Sequence, residues 1–219
     1  MIEAAIFDMD GLLVDSMPLW REAQREMGVS LGFNLTAEDE KATMGLREDE
    51  TVEYWYHRHP WTGRSIKDVE NEIVSRVIEL VKAKGKEREG VGDIMRFVKD
   101  KKLKTAVASS SPIRLIRATL EHFQLEKYFD ELYSAEFEPY GKPHPAVYIT
   151  AAKMLDVPIR NCIAFEDSLY GILAVKAAKM KCVCVPDEAL RGSHTLSIAD
   201  IVLPTLGHFN DDVWKQLDV

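Results

Sequence analysis

Apolar residues fall along this chain in two patterns. Short continuous runs occupy 4–7, 105–108, 132–134, 163–165 and 182–185, with a weaker one at 201–203. Runs this short and unbroken predict strands buried on both faces. Between the later runs, at 92–101, 113–123, 146–155 and 169–178, apolar positions recur at helical spacing. Strands alternating with helices predict an α/β fold, a parallel sheet covered by helices on both faces. Residues 15–88 break the alternation. They contain no convincing strand and read as successive helices at 19–27, 37–44, 48–59 and 66–84, separated by GVSLGFN, GL and PWTG. The expected organisation is an α/β core of residues 1–14 and 89–219 with an all-helical insertion, 15–88, after the first strand. The exit KAKGKEREGVG is charged and glycine-rich, as a solvent-exposed hinge between two units would be.

Composition narrows the partners. The 219 residues carry 46% hydrophobic and 29% charged side chains, the balance of a folded soluble protein. No apolar run approaches the ~18–20 residues of a membrane span. The opening MIEAAIFD has an acid where a secretory signal has lysines, so a cytoplasmic location is expected. Cys162, Cys182 and Cys184 lack CxxC spacing and read as small buried hydrophobes. A net charge of −8, with no basic stretch interleaved with aromatics, argues against nucleic acid, and nothing points to an obligate protein partner. An anionic substrate has to be met locally, by a few placed cations, a metal or helix termini.

In open parallel sheets ligands bind beyond the carboxyl ends of the strands, so the residues after each apolar run carry the chemistry. After the first run, in IFDMDGLLVDS, stand Asp8 and Asp10. Ser109, Ser110 and Ser111 follow the second, Lys142 lies in the loop after the third, and Glu166 and Asp167 follow the fourth. Two carboxylates facing one site call for a cation or a proton between them, unless an Asp-Gly turn simply caps a helix. In ASSSPIRLI, Pro112 suits the first helical position and Ser111 the N-cap, which makes an anion site or a plain cap. Lys142, in YGKPHP, sits on a loop stiffened by prolines. Glu166 and Asp167 either cap the next helix or offer oxygens suited to Mg²⁺. Carboxylates, hydroxyls, a lysine and more carboxylates after consecutive strands are what phosphoryl transfer requires.

With DMDGLLVDS, ASSSP, GKPHP and EDSLYG in that order, the whole chain resembles the haloacid dehalogenase superfamily, in the subgroup whose Rossmann-like core carries an α-helical cap after the first strand. Through PLW, MGLR, WYHRHPWTG and SSSP it is most similar there to bacterial 2-deoxyglucose-6-phosphatase and hexitol phosphatase sequences. The resemblance implies Asp8 as nucleophile and Asp10 as general acid and base. It implies Ser109 and the Ser110 backbone as phosphoryl binders and Lys142 as charge balance. Mg²⁺ would bind Asp8, the Asp10 carbonyl and Asp167, with Glu166 in or near that shell. Family cap loops place a glycine and an arginine over the site, matched here by Gly45 and Arg47; Arg47 is expected to touch substrate, the alternative being a solvated helix start. Trp20 is either a sugar platform or a cap-packing residue. His57 and His59, two apart, do not align on a helix and are not expected to bind metal.

The expected activity is Mg²⁺-dependent hydrolysis of a small phosphorylated sugar or sugar alcohol. β-Phosphoglucomutase shares all four motifs, but carries a cap histidine where Trp20 stands here, which favours the hydrolase. A non-catalytic phosphate-binding or signalling protein would be expected to lack one of these residues or the helical insertion.

Overall fold

Alternate residues of the central strands point to opposite faces of the sheet, and the sequence fills those faces differently. In the computed structural model, which describes residues 1–43 and 45–218, Ala4, Ile6, Ala106, Ala108, Cys162, Ala164, Cys182 and Cys184 belong to one buried cluster. Ala5, Phe7, Val107, Ile163, Phe165 and Val183 belong to another. The strands are β1 (Ala4–Phe7), β2 (Lys104–Ser109), β3 (Glu131–Ser134), β4 (Cys162–Glu166), β5 (Lys181–Cys184) and β6 (Ile201–Val202). They form one sheet in the order β3-β2-β1-β4-β5-β6, with every pairing parallel.

Nine α-helices are present among the described residues. Four lie between β1 and β2 as the insertion: α1 (Met17–Leu31), α2 (Ala37–Ala42), α3 (Glu48–Arg58) and α4 (Ile66–Lys84). The others are α5 (Val91–Asp100), α6 (Ile113–His122), α7 (Ala146–Met154), α8 (Leu169–Ala177) and α9 (Asp211–Leu217). Small Ala and Cys side chains on one sheet face let the alanine-rich α7 and α8 approach closely, while the Phe7–Phe165 stack, with ring centroids 4.6 Å apart, fills the other. The three cysteines are free and buried, and burial pushes the Cys162 and Cys184 thiols up to about 12. Among the described residues no helix is long and apolar enough to cross a membrane.

Two local expectations shift. Pro112 is the N-cap of α6 and Ile113 its first residue, because Pro112 has an extended ψ of 145°; Ser111 thus stands one position outside the helix. The second insertion helix ends at Ala42, and Met44, its expected last residue, lies outside the described residues. Entry and exit of the insertion run side by side. The Asp15 N–H donates to the Lys86 carbonyl and the Arg88 N–H to that of Leu13, both at 2.9 Å, so the charged exit is tied by backbone hydrogen bonds to the entry.

Candidate active site

The register brings the carboxyl ends of β2, β1 and β4 level, with Phe7 opposite both Val107 and Phe165. Asp8 is therefore flanked by Ser109 and by Glu166 and Asp167. All three acids are buried, as is Lys142. The Lys142 ammonium stands 2.7 Å from Asp8 Oδ1 and 2.7 Å from Glu166 Oε1. Burial alone would lower its pKa, but the two carboxylates overcome that and hold it raised. The Tyr148 hydroxyl also donates to Glu166 Oε1, and its ring lies under the ammonium, 5.0 Å from nitrogen to centroid.

Each carboxyl responds to its own surroundings. Burial opposes ionisation of Glu166, yet Lys142, Tyr148 and the Ser168 N–H overcome it, so this group is held below its ordinary range. Asp8 has fewer donors. Burial pushes it up to about 7, Lys142 opposes, and Glu166 and Asp10 add to the rise. Asp167 is pushed well up, first by burial and then by Glu166 and Asp8. With all three ionised, three negative charges face a single lysine.

The donor set fits a hard divalent cation. Asp8, Glu166 and Asp167 each offer an oxygen, all within 4.8 Å of one another. Gly11, at φ +80°, leaves the space this needs, since a Cβ there would stand 2.0 Å from Asp167 Oδ2. Gly171 does the same for Glu166, whose carboxyl carbon would be 1.8 Å from a Cβ. Glu166 is the most heavily bonded of the three. Besides Lys142 and Tyr148 on Oε1, its Oε2 accepts from the Asp167 N–H and from the Ser168 N–H and hydroxyl. The Asp10 side chain lies outside the metal-capable group.

Asp10 instead sits among neutral donors. Its Oδ1 accepts from the Ser16 hydroxyl at 2.7 Å and the Trp20 indole N–H at 2.9 Å. Its Oδ2 accepts from the Ser111 hydroxyl at 2.7 Å, with the Ser109 hydroxyl at 3.4 Å. Ser109 Oγ also accepts the Ser111 N–H at 3.1 Å, which folds the serine loop back over the strand end. Trp20 is buried, with its N–H committed to Asp10.

From the insertion, Gly45 takes φ +81° and packs on Tyr170 at the start of α8, where a Cβ would meet the ring at 3.1 Å. Arg47 caps α3, and its guanidinium is far from a solvated surface charge. It pairs with both oxygens of Asp49, at 2.6 and 2.7 Å, and donates to the Ala135 and Glu138 carbonyls of the loop after β3. It thus ties the insertion to the core. Ser110 lines a cavity of ≈ 90 Å³ whose walls include Arg47 and Glu48. His57 is exposed near Glu53, and His59 stacks on Phe33 at 4.5 Å.

Ser111, one of the three serines after the second strand, donates to Asp10, while three residues escape a reading of strand ends alone. Tyr148 reads as part of a helix face, Ser16 as a cap, and Glu48 as an ordinary first-turn acid. Only Tyr148 carries a signal in the sequence, a lone hydroxylated ring in the otherwise apolar face of AVYITAA.

The chain is similar to several known proteins. The family model for haloacid dehalogenase-like hydrolases matches residues 2–179. Hexitol phosphatase B of Escherichia coli (strain K12) is 41% identical over 206 residues, covering 94% of this chain and 93% of that protein. The phosphorylated carbohydrates phosphatase of Thermotoga maritima is 36% identical over 181 residues, covering 81% and 82%. Among solved structures, CbbY from Rhodobacter sphaeroides in complex with phosphate superposes with a TM-score of 0.87 at 27% identity, each chain covered over 100% of its length.

Proposed function

The chain belongs to the haloacid dehalogenase-like hydrolases, and from that premise we propose that it is a cytoplasmic, Mg²⁺-dependent phosphatase of small sugar or sugar-alcohol phosphates, such as hexitol phosphates or 2-deoxyglucose 6-phosphate. The observation that carries the reading is the division of labour between two neighbouring aspartates, one on Lys142 and one among serines and an indole.

In this reading the Asp8 carboxylate attacks phosphorus, and the bond to the sugar oxygen breaks as the aspartyl-phosphate forms. Asp10 gives the leaving oxygen its proton, then takes one from the water that releases inorganic phosphate and regenerates Asp8. The Ser109 hydroxyl and the Ser110 N–H donate to the phosphoryl oxygens, and Lys142 offsets the charge gathered on Asp8 and phosphate. Asp8 and Asp167, with the Asp10 carbonyl, would hold Mg²⁺, and Glu166 chiefly aims Lys142. When bound, the ion supplies charge neutralisation at the phosphoryl group. Residues 15–88 serve as a cap over a core of 1–14 and 89–219, with the paired segments 13–15 and 86–88 as the connection. Gly45 and Arg47 contribute the cap side of the substrate cavity.

The isomerase reading is disfavoured by Trp20. An indole N–H donates and cannot accept, so at Oδ1 of Asp10 it holds the carboxylate without relaying a proton. The test is a screen of hexose, deoxyhexose and hexitol phosphates with Mg²⁺, following free phosphate and isomerised product together. Phosphate release that stops on chelation and returns with Mg²⁺ is expected. Isomerised product without phosphate would establish a mutase, and no turnover of any ester would leave a binding protein.

A further inference from the structure

Tyr148 brings a phenol into the most charged part of the molecule. It stands on α7 and is fully buried, in the same cluster as Ala4, Ala106, Ala108, Cys182 and Cys184. These small side chains leave room for a ring, and phenylalanine would fill that room without burying a hydroxyl. The hydroxyl is nonetheless present, and among the described residues its one partner is Glu166 Oε1.

That oxygen also anchors Lys142. Nζ meets Glu166 Oε1 at 2.7 Å and Asp8 Oδ1 at 2.7 Å, so the ammonium hangs between two carboxylates, 5.0 Å from the centroid of the Tyr148 ring. The two carboxylates are not held alike. Glu166 Oε2 accepts from the Asp167 N–H and from the Ser168 N–H and hydroxyl, which fixes that side chain. The Asp8 carboxylate has Lys142 as its one hydrogen-bond donor among the described residues.

The asymmetry matters when Asp8 reacts. As its negative charge goes into the bond to phosphorus, its pull on the ammonium falls, and Glu166 would draw Nζ back from the phosphoryl oxygens. An oxygen that already accepts a charge-assisted bond from a phenol has less charge to offer a second donor. We propose that Tyr148 is a positioning residue for the reaction: by sharing Glu166 Oε1 with Lys142, its hydroxyl keeps the ammonium forward on Asp8 and the phosphoryl group. The ring beneath stays in place as a floor for the charge.

This inference rests on the phosphatase reading, and one arm of the experiment is independent of it. Tyr148→Phe removes the hydroxyl and keeps the ring. With a hexitol 6-phosphate at saturating Mg²⁺, kcat should fall about tenfold while KM stays within about twofold, because Lys142 acts on charge that develops in the transition state. In a Lys142→Met background the same substitution should change kcat by less than about twofold, since no ammonium is left to aim. Crystal structures of the wild type and Tyr148→Phe read the position directly. In the variant, Nζ should have moved toward Glu166 and out of hydrogen-bond distance of Asp8 Oδ1, with the ring unmoved.

An unmoved Nζ overturns the assignment, even if Lys142→Met is too slow to measure. So does an equal kcat loss in both backgrounds, or a loss carried by KM. A lower melting temperature with unchanged kcat also overturns it, and leaves Tyr148 as a packing residue. A wild type that releases no phosphate from any ester instead refutes the phosphatase reading, and the position of Nζ is read without it.

Discussion

Replacing Lys142 by methionine isolates the electrostatics of the site. Methionine fills much the same volume, so the change removes charge more than packing. The ammonium is 5% exposed and lies 2.7 Å from two carboxylates that are themselves almost fully buried. Removing one partner of a buried ion pair costs about 3–5 kcal/mol, because the remaining charge is left without compensation. Here two acids lose their shared cation, so the upper end of that range is expected in chelator-containing buffer. Urea denaturation of wild type and variant at neutral pH measures it. A divalent cation on the same acids would offset part of the loss, so added Mg²⁺ should stabilise the folded variant, with the gain growing with ion concentration. Turnover should fall about 100- to 1000-fold, the usual effect of deleting one charge-stabilising group. A variant within about 1 kcal/mol of wild type, with turnover reduced less than about tenfold, would refute the view that Lys142 holds this cluster together.

Three further outcomes are expected. Glu48 holds a proton when folded that the unfolded chain releases, so the stability of the wild type relative to Glu48→Gln should fall as pH rises from about 5 to about 8, by roughly 2–5 kcal/mol; parallel urea midpoints across that range would contradict the burial of this carboxyl. Gly171→Ala drives a methyl into the Glu166 carboxyl and should cost about 1–3 kcal/mol while weakening Mg²⁺ activation, both read from melting and activity titrations. Trp20→Phe removes a donor from Asp10 and should slow sugar esters about tenfold more than an aryl ester, whose leaving group needs no proton; equal slowing would detach Trp20 from acid catalysis.

What the sequence revealed and what it hid follow from the range of the forces involved. Strand runs and helix periods are local, so β1 is legible at Ala4–Phe7 and α4 at Ile66–Lys84 to the residue. The polar residues at the strand ends are legible for the same reason, since a parallel sheet brings them together whatever the loops do. The helix start at Pro112 was displaced by one residue because proline also tolerates the extended ψ of a cap. α9 carries too weak a period to announce itself, and its N-cap, Asn210, takes meaning only from its bonds to Asp212 and Val213. Tyr148 on Glu166 and Trp20 on Asp10 depend on side chains 18 and 10 positions apart meeting in space, which no local pattern encodes. Arg47 was singled out only by resemblance to the family's cap loops, and its ties to Ala135 and Glu138 join segments 88 and 91 residues apart.

The central claim is that Asp8 becomes covalently phosphorylated while Asp10 only moves protons. The direct measurement is acid quenching of the enzyme during Mg²⁺-supported turnover of a sugar phosphate radiolabelled in its phosphoryl group, followed by peptide mapping. Label on the peptide bearing Asp8, released by hydroxylamine as an acyl phosphate and abolished by Asp8→Asn, is the expected result. Label on another residue, or an Asp8→Asn enzyme that still turns over, would contradict it.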